Sequence, residues 1–252
     1  FAGLAGVGTS GGSLDHTGML ATEPGSLSHV VFDPPTVLGT ASLPEDLTFV
    51  VAVSGVLAEK TGAAREAYNR GPAALGAVLE AWNERTGRED SSLHRVVREL
   101  TGIADPAQPV DRFSRELDAL RRVTPDGYAS ARLEQFIEES EVLVPEAAAA
   151  LARGDIDAFS AIVGRSQDLA ERKLGNQVPE TIDLARSARA LGARAASAFG
   201  AGFGGSVWAL VSHADAATFA QQWEHDYEVK YPHRSAVTIV SDPGEPAKQI
   251  EF

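Results

Sequence analysis

Residues 7–20 read VGTSGGSLDHTGML, and they carry the densest chemistry in the chain. Three glycines and three hydroxyl residues crowd between Gly8 and Ser13, and a carboxylate, Asp15, follows at once. Glycine lets the backbone turn through positive φ and lets a ligand approach closely. A carboxylate at the rim of such a loop is placed to take a proton from a bound hydroxyl. Acids are common at helix starts, so on these residues alone the cap of the short helix that LDHTGML could start is the favoured reading.

A second glycine loop lies far downstream. Gly200-Ala201-Gly202-Phe203-Gly204-Gly205 matches the dinucleotide fingerprint letter for letter. That fingerprint works when its last glycine opens a helix whose amino end holds the pyrophosphate. Here the following run, SVWALVS (206–212), is β-rich, so the loop joins two strands. It is either a tight turn or a close approach to a ligand or to another loop. Gly8-Thr9-Ser10-Gly11-Gly12 also matches the nucleophile elbow of serine hydrolases, and Asp183 and His213 would complete the order Ser, Asp, His. An elbow needs preceding strands, and only seven residues precede Gly8, so this match lacks its context. A side chain at Gly204 is expected to harm activity more than stability, because the loop is read as a ligand wall.

The elements that must position these loops follow from patterning. Residues 26–55 read as strands: SHVVF (28–32), TVLGTASL (36–43) and the continuous apolar run LTFVVAVS (47–54), with proline turns between them. The last run predicts a strand buried on both faces. These three are expected to form part of one sheet, with the Asp15 loop at one end. Residues 61–174 are rich in Ala, Leu, Glu and Arg, which predicts helices over 62–69, 73–86, 91–100, 109–122, 129–153 and 156–174. Gly71-Pro72 should separate the first two, Asp90 or Ser91 should cap the third, and Pro145 should bend or break the fifth. Gly154-Asp155 should close one helix and cap the next. The charged residues of this region are read as solvated. A helix over 179–191, strands over 194–199 and 206–212, a helix over 214–229 and a strand over 236–241 complete an α+β pattern.

Composition narrows the function. With 252 residues and 44% apolar content the chain can bury a substantial core. A net charge of −13 and no basic cluster argue against a nucleic-acid partner. There are no cysteines, hence no thiolate chemistry, and no apolar run of membrane-spanning length. The first residue is Phe1 and the glycine loop follows almost immediately, which leads us to expect the back part of a longer protein with a missing amino-terminal segment.

Three blocks together resemble the carboxy-terminal two-thirds of a galactokinase-like member of the GHMP small-molecule kinases. VGTSGGSLDH is similar to the family block that carries its catalytic aspartate, which maps onto Asp15, with the sugar-contacting glycine at Gly12. SGVLAEKTGAAREAYN (54–69) resembles the segment ending in a sugar-contacting tyrosine, here Tyr68. SAFGAGFGGSVWALV (197–211) resembles the third glycine motif, which implies that Gly200, Gly202, Gly204 and Gly205 stand near the phosphate and sugar. His16 in place of glutamine, Thr9-Ser10 in place of Pro-Cys, and the EKTG insert at 59–62 mark a divergent branch.

The resemblance implies an α+β fold. Residues 1–60 would be the end of an amino-terminal ribosomal-S5-like lobe, and residues 61–252 a helix-rich, ferredoxin-like carboxy-terminal domain. It implies a cytoplasmic enzyme that moves the γ-phosphoryl group of ATP, with Mg²⁺, to the anomeric hydroxyl of a monosaccharide. Metal ligands are not implied for any residue of this chain. The family's phosphate loop lies upstream of the matched blocks, so the chain by itself is expected to be inactive. Phosphorylation of a non-sugar alcohol and non-catalytic sugar sensing are the alternative roles.

Overall fold

The computed structural model describes residues 14–20, 22–32, 34–58, 65–101 and 115–247. Among these, helix α1 (Leu14–Leu20) comes first, followed by a hairpin of β1 (Ser26–Phe32) and β2 (Pro35–Ser42). The two strands pair antiparallel, with a register shift at His29/Val30. The expected opening sheet of three strands does not form. β3 (Leu47–Val53) instead enters a four-stranded antiparallel sheet with β4 (Ala195–Ala198), β5 (Ser206–Ser212) and β6 (Val237–Ser241), in the order β4-β5-β3-β6. The sheet therefore draws strands from both sides of residue 60.

Burial explains where β3 goes. Its side chains alternate between two cores, so each face needs a cover. Val50 and Ala52 pack with Leu184, Ala188, Phe219 and Trp223, from helices α8 (Pro179–Ala190) and α9 (Ala216–Lys230). Leu47 packs on the opposite side with Ala150, Phe159 and Val163, from α6 (Val144–Ala152) and α7 (Ile156–Leu169). The predicted burial on both faces is thus observed. β2, by contrast, is largely exposed and has no such demand.

The helical region builds its own core. α2 (Arg65–Thr86), α3 (Leu93–Thr101), α4 (Arg115–Arg121) and α5 (Gly127–Glu138) bring together Val78, Trp82, Val96, Leu117, Leu120 and Leu133. α2 runs through Pro72 without a break, which corrects the expected division at Gly71-Pro72. Proline removes one helical hydrogen bond. Gly71 is buried in the same turn and lets Leu174 and Arg132 approach, so packing holds the helix across the defect. The cap of α3 is also displaced: the Ser92 hydroxyl accepts from the Arg95 N–H at 3.4 Å, while Asp90 accepts from the Trp82 indole and from Arg88. At 139–143 a π-helical turn joins α5 to α6, and Pro145 sits in the first turn of α6, so the fifth expected helix is interrupted just ahead of the proline. Gly154 adopts φ 67° and the Asp155 carboxylate accepts from the Ala158 N–H at 3.0 Å, closing one helix and capping α7 as expected.

The π turn carries a buried charge. Glu141 is fully buried, with His94 Nδ1 2.7 Å and Arg98 Nε 2.6 Å from its two oxygens. The expectation that charges in this region are solvated fails here, because a cation from α3 reaches the carboxylate across the fold. Removing one partner of a buried pair strands the other. Glu141→Ala is therefore expected to destabilise the fold by about 3–5 kcal/mol, readable by urea denaturation. Among the described residues, no helix is long and apolar enough to cross a membrane.

Candidate functional site

The loop between β4 and β5 is built around conformations only glycine holds easily. Gly200, Gly202, Gly204 and Gly205 have φ of 77°, 80°, 126° and 81°, and Phe203 joins them at 60°. Each glycine has a different reason to lack a side chain. A Cβ on Gly202 would overlap the Asn176 carbonyl, and one on Gly204 would stand 2.7 Å from the Val56 carbonyl. A Cβ on Gly200 would meet nothing within 4 Å. Two of the glycines thus allow neighbouring loops to close in, and Gly200 faces open space. Close approach at 202 and 204 is therefore to another part of the protein, one of the two outcomes expected for this loop.

Hydrogen bonds lock this arrangement. The Ser54 N–H and hydroxyl both donate to the Gly205 carbonyl, at 2.9 and 2.7 Å. The Gly205 N–H donates to the Val56 carbonyl at 2.9 Å, and the Phe203 N–H to the Asn176 carbonyl at 2.5 Å. Asn176 Nδ2 returns a bond to the Ala201 carbonyl at 3.1 Å. From α9, the buried Tyr227 hydroxyl donates to the Ser54 carbonyl at 2.6 Å, and burial pushes its pKa up to about 12. Removing that hydroxyl leaves a buried carbonyl without its donor. Tyr227→Phe should cost about 1–3 kcal/mol, and the exchange protection of the Gly205 amide should fall with it.

On the Gly200 side the loop borders a cleft of about 180 Å³. Tyr68, Gly71 and Pro72 line it from α2, Tyr128 and Arg132 from α5, and Asn176 from the turn after the second π-helical segment (Ala170–Leu174). Tyr68 and Gly200 are thus brought to one cleft, although the chain separates them widely. Tyr128 is held by a bond from its hydroxyl to the Leu174 carbonyl at 3.1 Å, and the Arg70 guanidinium stacks 3.8 Å above its ring. Arg132 gives one hydrogen bond, to Gln135 Oε1, and its buried Nε has no acceptor among the described residues. Burial lowers the Arg132 pKa below the usual arginine value and raises that of Glu139 above the usual carboxylate value.

Other expected positions stand as follows. Helix α1 begins at Leu14, so Asp15 lies in its first turn rather than at its cap. Its side chain, and Gly12 altogether, lie outside the described residues. Asp183 and His213 do not come together as a hydrolase pair. Asp183 is bonded by Lys230 at 2.7 Å, and His213 lies 3.7 Å from Asp242. Tyr128, Arg132 and Asn176 were not singled out from sequence: each is an ordinary residue of a helix or turn, and only the fold turns it toward the cleft. Among the described residues, no group of three His, Asp or Glu side chains could hold a metal ion, so none is assigned.

Residues 147–229 match the family described as GHMP kinases C terminal. No curated protein matches the sequence. Among solved structures the chain is similar to a galactokinase from Lactococcus lactis in complex with galactose, with 19% identity and a TM-score of 0.77, over 98% of this chain and 58% of that one. It is more distantly similar to the L. major mevalonate kinase in complex with R-mevalonate, at 14% identity and a TM-score of 0.44, over 82% of this chain and 46% of that one. A homoserine kinase from Cytophaga hutchinsonii matches at 15% identity with a TM-score of 0.42, over 88% and 49%. The chain thus has an α+β fold similar to that galactokinase, with residues 147–229 matching the GHMP kinase C-terminal family, and spans 58% of the length of the galactokinase it matches.

Proposed function

We propose that this GHMP-kinase-like chain provides the acceptor side of a galactokinase-like sugar kinase, one that phosphorylates the anomeric C1 hydroxyl of a monosaccharide. The observation that supports the reading is the meeting of Tyr68 and Gly200 in one cleft. Two blocks matched independently to the family thereby become neighbours. In this reading the sugar lies in the cleft, and the Tyr68 hydroxyl bonds one of its hydroxyls. Gly12 lets the ring approach the backbone, and Asp15 takes the proton of the attacking hydroxyl or holds that hydroxyl in line.

ATP, when bound, supplies the phosphoryl group. Two N–H groups of the 200–205 loop, those of Phe203 and Gly205, are already given to the Asn176 and Val56 carbonyls, so they do not serve a triphosphate. Neither the triphosphate nor Mg²⁺ is assigned to a residue here. Phosphoryl transfer depends on positioning and charge stabilisation, and the proposed residues contribute positioning and proton removal.

Tyr68→Phe tests the assignment. Losing one substrate hydrogen bond of about 1–1.5 kcal/mol should raise the sugar KM by roughly fivefold to tenfold, with kcat nearly unchanged. A KM equal to wild type would remove Tyr68 from the site.

A further inference from the structure

The cleft beside Tyr68 differs in charge from the chain that surrounds it. The chain as a whole is strongly acidic, at −13, yet no carboxylate lines this cleft and one guanidinium does. That guanidinium, on Arg132, is poorly compensated. Its one hydrogen bond goes to a neutral amide oxygen, on Gln135. Its Nε lies 3.5 Å from the place where a Cβ on Gly71 would stand, sealed from water and without an acceptor. Glu139 acts on it only through space, and the Glu139 carboxylate accepts from the Ser166 hydroxyl at 2.8 Å. A desolvated cation short of partners is costly, and a carboxylate that arrives with a ligand relieves the cost.

The wall opposite offers complementary chemistry. Pro72 has no N–H to give to the carbonyl four residues earlier, and that carbonyl belongs to Tyr68. Both residues line the cleft. The Tyr68 carbonyl is therefore left without its helical donor and is an acceptor suited to a ligand hydroxyl. Arg70, stacked over the ring of the lining residue Tyr128, adds a second positive charge nearby. A volume of about 180 Å³ admits one monosaccharide ring and is too small for a nucleoside triphosphate.

We propose that the ligand of this cleft is an acidic monosaccharide, a hexose carrying a carboxylate at C6, with Arg132 receiving the carboxylate and Tyr68 the ring hydroxyls. The proposal rests on the reading of the cleft as the acceptor-sugar side. It departs from a neutral hexose because a neutral hexose would leave the Arg132 guanidinium with no carboxylate bonded to it.

The test is a titration of the 252-residue chain, at low salt, with D-galacturonate against D-galactose and D-glucuronate against D-glucose, by saturation-transfer NMR and calorimetry. In at least one pair the acid should bind roughly tenfold tighter than its neutral parent. Arg132→Gln should erase that preference, bringing the acid's affinity down to that of the neutral parent in the same variant. Arg132→Lys keeps the charge without the planar fork and should retain part of the preference. If Arg132→Gln does not fold, the lysine variant and the wild-type preference decide the matter. Equal affinity for acid and parent would overturn the proposal and leave the sugar-kinase reading standing. No binding of any of the four sugars would overturn both. Displacement of the acid by metal-free ATP would give the cation to nucleotide phosphate and overturn the proposal as well.

Discussion

Exchanging Asp15 for asparagine is expected to cut phosphoryl transfer by roughly 10²–10⁴-fold, the range lost with a general base, in the complete gene product. Asparagine keeps the size and the hydrogen-bonding reach of the residue but cannot accept the proton. The structural cost should be small. Asp15 sits in the first turn of α1, and losing a negative charge there costs about 0.3–1 kcal/mol. Steady-state kinetics with the acceptor sugar, beside a thermal melt, separate the two effects. Turnover within about threefold of wild type would remove Asp15 from the chemistry.

The second large effect falls on stability. Gly202→Val should destabilise the fold by about 4 kcal/mol or more, at the diagnostic end of single substitutions. Its φ of 80° is one that a β-branched residue rarely adopts, and the new Cβ would overlap the Asn176 carbonyl. That carbonyl is fixed by the Phe203 N–H, so it cannot retreat without releasing the loop. The contrast with Gly200→Ala isolates the cause. Gly200 has a similar φ of 77° but open space beyond it, so alanine there should cost about 1–2 kcal/mol from backbone conformation alone. Urea midpoints of the two variants should differ accordingly. Equal midpoints would mean that the contact with Asn176 does not hold the loop.

These geometries also revise what the sequence suggested for Gly204. Glycine density was legible, and so was the strand after the loop, because SVWALVS is a short apolar run with two valines and a tryptophan. What the glycines face was not legible. Val56 and Asn176 reach Gly204 and Gly202 from other parts of the chain, so the first consequence of a side chain at 204 is a clash with Val56 rather than a blocked ligand.

The same distinction runs through the fold. Local signals held: Gly154 and Asp155 punctuate two helices, and Pro145 follows a π turn. Non-local choices did not. β3 was expected beside β1 and β2, but its sheet partners β5 and β6 lie more than a hundred residues away, and no local pattern specifies them. Pro72 was read as a break, yet burial of Gly71 against α5 and Leu174 carries the helix through. Arg98, Glu141 and Arg132 were read as surface charges because arginine and glutamate usually are. Their burial depends on partners contributed by other helices or on the cleft itself. Tyr68 was legible through a motif, whereas Arg132 beside it carries no motif and emerges only from the packing of α5 against α2.

The central claim, that the Tyr68 cleft presents a sugar for phosphorylation at its anomeric hydroxyl, has one most direct measurement. The complete gene product is incubated with γ-labelled ATP and a panel of neutral and acidic monosaccharides, and the labelled product is treated with mild acid. A phosphate on the anomeric carbon is released under these conditions, because the sugar departs as a stabilised oxocarbenium ion, whereas an ordinary alcohol phosphate survives. The account predicts sugar-dependent labelling that mild acid removes and that Tyr68→Phe weakens through KM. Labelling that survives acid, or that appears without any sugar and is unchanged by Tyr68→Phe, would contradict it.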